Sequence, residues 1–162
     1  MASLTTTTTT VAPGVLAKPA ARILSEALGD RVLALDDFRG DLAITVDRRG
    51  WVEAARLLRD HPELDYQLFL DLCGVDYLDR EDRRERYEVV LHLYSVSRKH
   101  HVRLKTPLPE AEARLPTLTG VFKGANWFER EAWDLYGIVF EGHPNLCRIL
   151  THESFEGHPM RK

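Results

Sequence analysis

Cysteine is scarce in this chain of 162 residues: Cys73 and Cys147 are the only two. They are too few for a disulfide framework, and they form no C-x-x-C pair. An iron–sulfur cluster of the common kind takes four cysteines, so the chain cannot hold one alone. Neither G-x-G-x-x-G nor G-x-x-x-x-G-K-S/T occurs, which removes the ordinary signatures of dinucleotide and P-loop sites. Long apolar runs are missing too. A membrane helix needs about 18 apolar residues, whereas the longest apolar segment, "YEVVLHLYSV", is interrupted by Glu88 and His92. Nor is there an excess of one charge: 22 basic against 25 acidic residues leave a formal charge of −3. That implies no polybasic surface for nucleic acid.

What is present suits one domain with an ordinary buried core. The N-terminal "MASLTTTTTTVAPGV" has neither a basic n-region nor an apolar h-region, so it is no secretory signal. Its Thr run followed by Pro and Gly reads as a disordered leader over residues 1–15. Any membrane association is then expected to come through a partner. "KPAARILSEALGD" predicts a helix with Pro19 in the first turn and Gly29 past its end. "DLAITV" alternates Leu42, Ile44 and Val46 as a half-buried strand, and "GWVEAARLLRDHP" aligns Trp51, Ala54, Ala55 and Leu58 on a helical stripe.

The middle of the chain reads as β. "LDYQLFLDL" places Leu64, Tyr66, Leu68, Leu70 and Leu72 at period two, although a helix is not excluded there. The charged stretch 79–86 reads as a solvated hairpin loop. "YEVVLHLYSV" and "HVRLKT" are two strands whose short link predicts antiparallel pairing. The expected fold is α+β: one domain over residues 16–137 with a mainly antiparallel sheet packed by helices. Residues 138–162 are expected to be an extended tail, with short helical pieces in the proline-punctuated stretch after Pro107.

"NWFEREAWDLYG" is the sharpest local signal. Asn126 is a favoured N-cap, Glu129 stands where a capping box places its acid, and Gly137 suits the left-handed position that ends a helix. Phe128, Ala132, Trp133, Leu135 and Tyr136 span the apolar arc, while Arg130, Glu131, Asp134 and Trp127 lie opposite. Asp134 in the last turn faces the negative end of the helix dipole. The expectation is that Asp134 and Trp127 meet a partner, and that Asp134→Asn weakens assembly while leaving the isolated fold intact.

The pentapeptide Phe-Glu-Gly-His-Pro occurs twice, from Phe140 and from Phe155. His143, Cys147, His152 and His158 are metal-ligand types, but they have no tight clamp spacing, and proline follows two of the histidines. Gly-His-Pro is good turn chemistry, so two turns are the favoured reading.

These residues carry a resemblance. "WFEREAWDLYGI" followed by "FEGHPNLCRILTHESFEGHPMRK" resembles the C-terminal half of the C subunit of proton-pumping NADH:quinone oxidoreductase, respiratory complex I. The resemblance is strongest over residues 116–162, and the element E-R-E-x-x-D-L-Y-G (Glu129 to Gly137) is its most specific part. It implies a translocase subunit without a catalytic site of its own. The FMN, iron–sulfur clusters and quinone of such a complex belong to other subunits. The implied partner is the quinone-site (D-type) subunit, at the cytoplasmic face of the cell membrane, or the matrix or stromal face of an organelle. The same family includes pieces of membrane-bound hydrogenase and F420H2 dehydrogenase complexes, which remain the alternative. A free-standing metal-dependent hydrolase, with Glu129 or Glu131 as base, is the distant one.

The expected partner-contacting residues are Trp127, Glu129, Arg130, Glu131, Asp134, Tyr136, His143, Arg148, His158 and Arg161. For Arg148, His158 and Arg161, bonding within the chain's own tail stands as the other reading. The resemblance implies no metal on the tail. Two departures stand out: the poly-Thr leader is not a family feature, and many relatives continue beyond the position of Lys162 with an acidic-aromatic-proline segment. The irregular tail is expected to need its partner for order, with hydrogen-exchange protection from about residue 138 only in the complex.

Overall fold

Alternating apolar side chains build most of the sheet. The computed structural model describes residues 10–11 and 14–162. Strands β1 (Thr10–Val11), β2 (Val32–Phe38), β3 (Asp41–Val46), β4 (Leu68–Asp76), β5 (Tyr87–Ser95) and β6 (His100–Leu108) form one open sheet in the order β1-β2-β3-β6-β5-β4. Neighbours β2/β3, β5/β6 and β4/β5 are antiparallel, whereas β1/β2 and β3/β6 are parallel. The α+β class and the antiparallel majority are as expected, but the sheet is mixed, because the β3–β6 pairing joins two antiparallel units side by side.

Three helices pack on one face: α1 (Pro19–Leu28), α2 (Trp51–Asp60) and α3 (Ala125–Tyr136). Their Leu24, Trp51, Leu58 and Ala132 join Leu42, Ile44, Val89, Leu91, Val102 and Leu104 in a single core. A further pair of short parallel strands, β7 (Arg114–Pro116) and β8 (Val139–Glu141), brings Leu115 and Phe140 into it. On the opposite sheet face the alternate residues Arg103, Lys105, His92 and Cys73 are only half-buried.

Most of the expected leader, residues 1–9 and 12–13, lies outside the described residues. Within the rest of that stretch, Thr10–Val11 pair with Ala34 and Leu35, and Val15 is buried.

Strand β2 has no counterpart in the pattern-based reading, because its burial does not alternate: the register shifts between Val32 and Ala34. Its two-residue turn to β3 has positive φ at both Arg39 and Gly40, the mirror-image turn that matches strand twist. A second irregularity corrects the face assignment in β4. A bulge between Phe69 and Asp71 breaks the alternation, leaving Leu68 and Leu70 each 44% exposed. Phe69 takes the inward place instead, against Phe122 at 5.7 Å and Phe128 at 5.3 Å between ring centroids. The stretch after Pro107 holds one 3-10 turn, Glu110–Glu112, and strand β7 rather than two helical pieces.

Candidate functional site

Helix α3 begins earlier than its capping signal predicts. Its N-cap is Gly124 with no side-chain cap, so Asn126 lies inside the helix and Glu129 is not part of a capping box. Glu129 instead points inward and is fully buried. Its carboxylate accepts from the Leu118 amide at 2.6 Å and the Thr117 hydroxyl at 2.5 Å, with His143 Nε2 4.0 Å away. Burial pushes its pKa up to about 7, against the pull of those two hydrogen bonds.

The other end of α3 explains the irregular tail. A helix leaves its last four carbonyls without intrahelical donors. Here each one finds a donor: Trp133 O from the Gly137 amide at 2.7 Å, Asp134 O from His158 Nδ1 at 2.9 Å, Leu135 O from the Met160 amide at 3.0 Å, and Tyr136 O from Arg161 Nε at 2.7 Å. Three of the four donors belong to the second Gly-His-Pro turn. Gly137 makes that approach feasible. It has φ +72°, and a Cβ there would lie 2.6 Å from His158 Cδ2.

Asp134 gathers the tail a second time through its side chain. Oδ2 accepts from the amides of Ile149, Leu150 and Thr151 at 2.9–3.0 Å. Oδ1 accepts from Arg148 Nη1 at 2.7 Å and the Thr151 hydroxyl at 2.5 Å. Burial opposes ionisation of this carboxyl, but those donors outweigh it and hold its pKa well below the usual carboxylate range. Arg148 also donates to the carbonyls of Phe155 and Gly157, and its guanidinium lies over Trp133 and Phe155. Arg130 donates to the carbonyls of Cys147 and Arg148. At the chain's end, the Lys162 amide and Arg86 both bond Asp76, whose pKa is lowered to about 2, first by Arg86.

The two Phe-Glu-Gly-His-Pro copies are therefore turns at opposite ends of one helix. Gly142 and Gly157 both take positive φ, at 79° and 87°. His143 donates through Nε2 to the Asn126 carbonyl near the helix start and accepts the Asn145 amide on Nδ1. His158 closes the helix end. The tail residues His143, Cys147, His152 and His158 do not converge; the ligating cluster among the described residues is Asp71, Cys73 and His92.

This placement corrects several expected partner contacts. Glu129 and Asp134 are 0% exposed and present nothing to a partner. Arg130, His143, Arg148 and His158 bond within the chain, the contacts that the second reading of Arg148 and His158 describes. Arg161 bonds Tyr136 O but stays exposed, Glu131 is half-buried, and Tyr136 packs half-buried against Gly74. Trp127 is 69% exposed. The tail's polar contacts run to α3 of the same chain. Pattern reasoning missed the helix-closing role of residues 158–161, which lie far beyond Tyr136 in sequence and leave no local signal at the helix end.

A mixed sheet with helices on one face, and a helix α3 whose buried Asp134 is strapped down by the chain's own tail, define the class of α+β fold. The comparisons identify the class. Residues 44–162 match the family described as "Respiratory-chain NADH dehydrogenase, 30 Kd subunit", and this chain belongs to that family. Among its relatives, the NADH-quinone oxidoreductase C subunit of Roseiflexus castenholzii is 49% identical over 150 residues, covering 93% of this chain and 82% of that protein. The like-named protein of Leptothrix cholodnii is 46% identical over 143 residues, covering 86% and 72%. Among solved structures, the trypsin-resistant fragment (1-134) of Nqo5 matches with TM-score 0.66 at 34% identity, over 78% of this chain and 98% of that one. A chain of an archaeal membrane-bound sulfane sulfur reductase shares the fold, with TM-score 0.62 at 24% identity over 78% and 72%.

Proposed function

We propose that this chain is a structural subunit of a proton-translocating NADH:quinone oxidoreductase, peripheral at the cytoplasmic face of the membrane (matrix or stromal face in an organelle). It binds no flavin, iron–sulfur cluster or quinone itself and docks against the quinone-site subunit. Family membership supports the assembly, and the sequence's lack of redox-cofactor signatures supports the non-catalytic role. The observation that carries the docking reading is Trp127. This large apolar side chain stands 69% exposed on the helix whose Glu129, Arg130 and Asp134 bond within the chain. Leu150, Phe155 and Met160 on the strap are exposed as well. Buried aromatic anchors dominate protein interfaces, and an exposed one on a rigid helix fits that use.

The test is purification of the tagged chain from gently solubilised membranes, with mass spectrometry and an NADH:quinone assay. Co-elution of flavin and iron–sulfur subunits with activity is expected, and Trp127→Ala should lower the recovered partner by about tenfold or more. Recovery with nickel–iron subunits would move the chain to the hydrogenase-type complexes. Recovery alone would remove the scaffold reading.

A further inference from the structure

The sheet face away from the helices carries a group of ligating side chains that belongs to none of the contacts above. The bulge in β4 sets Asp71 opposite His92 of β5, and Cys73, two residues on, shares their face. A carboxylate oxygen, the Sγ and one ring nitrogen of these three residues lie within 4.8 Å of one another, and all three are half-buried. His101 of β6 adds a fourth donor, its Nε2 3.4 Å from His92 Nδ1. Within the described residues, no hydrogen bond or ion pair takes up the Asp71 carboxylate or the Cys73 thiol.

We propose that Asp71, Cys73, His92 and His101 form a Zn²⁺ site on the open face of the sheet. Thiolate, imidazole and carboxylate are zinc's ligands, and tetrahedral zinc with bonds of about 2.0–2.3 Å holds its donors about 3.3–3.8 Å apart. The two histidine nitrogens already stand at that spacing. The Asp71, Cys73 and His92 donors, within 4.8 Å of one another, close up by about an ångström through side-chain rotation, which half-buried residues on a pleated face allow, and His101 joins them through its contact with His92.

Binding moves one proton and no electrons. Zn²⁺ accepts lone pairs from Asp71, His92 and His101, and the Cys73 S–H loses its proton to solvent as the Zn–S bond forms. Because the thiol gives up this proton, affinity rises with pH. The other groups bearing on the site are Arg103 and Lys105 of β6, Glu88 of β5, and Glu131 with Tyr136 of α3. The two cations work against the metal. Lys105 is partly neutralised by Glu88 at 3.6 Å, and the two negative ligands offset the rest.

The chelator-treated full chain should be titrated with Zn²⁺ alone by calorimetry, and with Co²⁺ to read the thiolate-to-metal absorption. One ion per chain is expected, with release of one proton. Cys73→Ser should abolish the thiolate absorption, and Cys73→Ser and His92→Gln should each weaken binding by about tenfold or more. The double variant Cys147→Ser/His152→Gln should bind as the parent does. Absence of stoichiometric binding would overturn the proposal. So would binding that survives both sheet variants, or that disappears only in the tail variant. Circular dichroism checks folding; if Cys73→Ser fails to fold, Asp71→Asn and His92→Gln carry the same reading.

Discussion

Arg148 Nη1 lies 2.7 Å from Asp134 Oδ1, joining an irregular tail to the last turn of α3 at a point where Asp134 is wholly sealed from solvent. A carboxylate near the negative end of a helix is unfavourable when isolated. Here it is held by five donors, among them a guanidinium, and the same tail supplies further donors to the helix's terminal carbonyls. The tail is thus a structural part of the helix end.

Asp134→Asn is therefore expected to act on the isolated chain. It keeps one acceptor oxygen but turns an NH2 group toward Arg148 and Thr151, leaving a largely buried guanidinium without its counter-charge. The expected cost is about 2–4 kcal/mol, read by urea unfolding. Amide exchange at Ile149, Leu150 and Thr151 should accelerate first. A variant as stable as the parent would remove this account of the strap.

Gly137→Ala should separate the two attachments. The positive φ and the 2.6 Å approach to His158 Cδ2 both oppose a methyl group. The expected loss is about 1–3 kcal/mol, with lost protection at Met160 while the amides bound to Asp134 stay slow. Uniform loss along the tail would mean that it docks as one unit.

Stability should decline on both sides of a maximum near pH 5. Asp134 and Asp76 have folded pKa values below their unfolded ones, so their contribution is present above about pH 4 and is lost as pH falls toward about 2. Glu129 has the opposite sign. Its pKa is raised from 4.5 to about 7, so its contribution is complete below 4.5 and is lost as pH rises through 7. Glu129→Gln keeps an acceptor for the Leu118 amide and should flatten the alkaline limb only. A pH–stability curve unchanged by this variant would show that the burial of Glu129 is compensated elsewhere.

Periodicity and punctuation made much of this legible. Helices α1 and α2 follow from Pro19, Gly29 and the Trp51 stripe, and β5 and β6 from clean alternation. Local signals failed where two residues compete for one role. The Asn126–Glu129 spacing is a good capping box in isolation, but a buried acceptor for Leu118 and Thr117 is worth more than an exposed cap, and the helix starts at Ala125 instead. In β4 the leucine alternation is perfect on paper, yet the bulge gives the inward place to Phe69, because Phe122 and Phe128 wait there.

By itself, the sequence determined the elements with a short-range period, the left-handed Gly137, the paired Gly-His-Pro turns and the family. These depend on neighbours a few residues apart, which the chain order displays. Only the tertiary structure decided that Asp134 serves the tail rather than a partner, and that His143 and His158 bond carbonyls at opposite ends of one helix. It alone decided that residues 71, 73, 92 and 101 converge on one sheet face. The reason is physical: strand register and the path of an irregular tail are set by burial and by the need to satisfy distant polar groups, and neither leaves a periodic trace in the sequence.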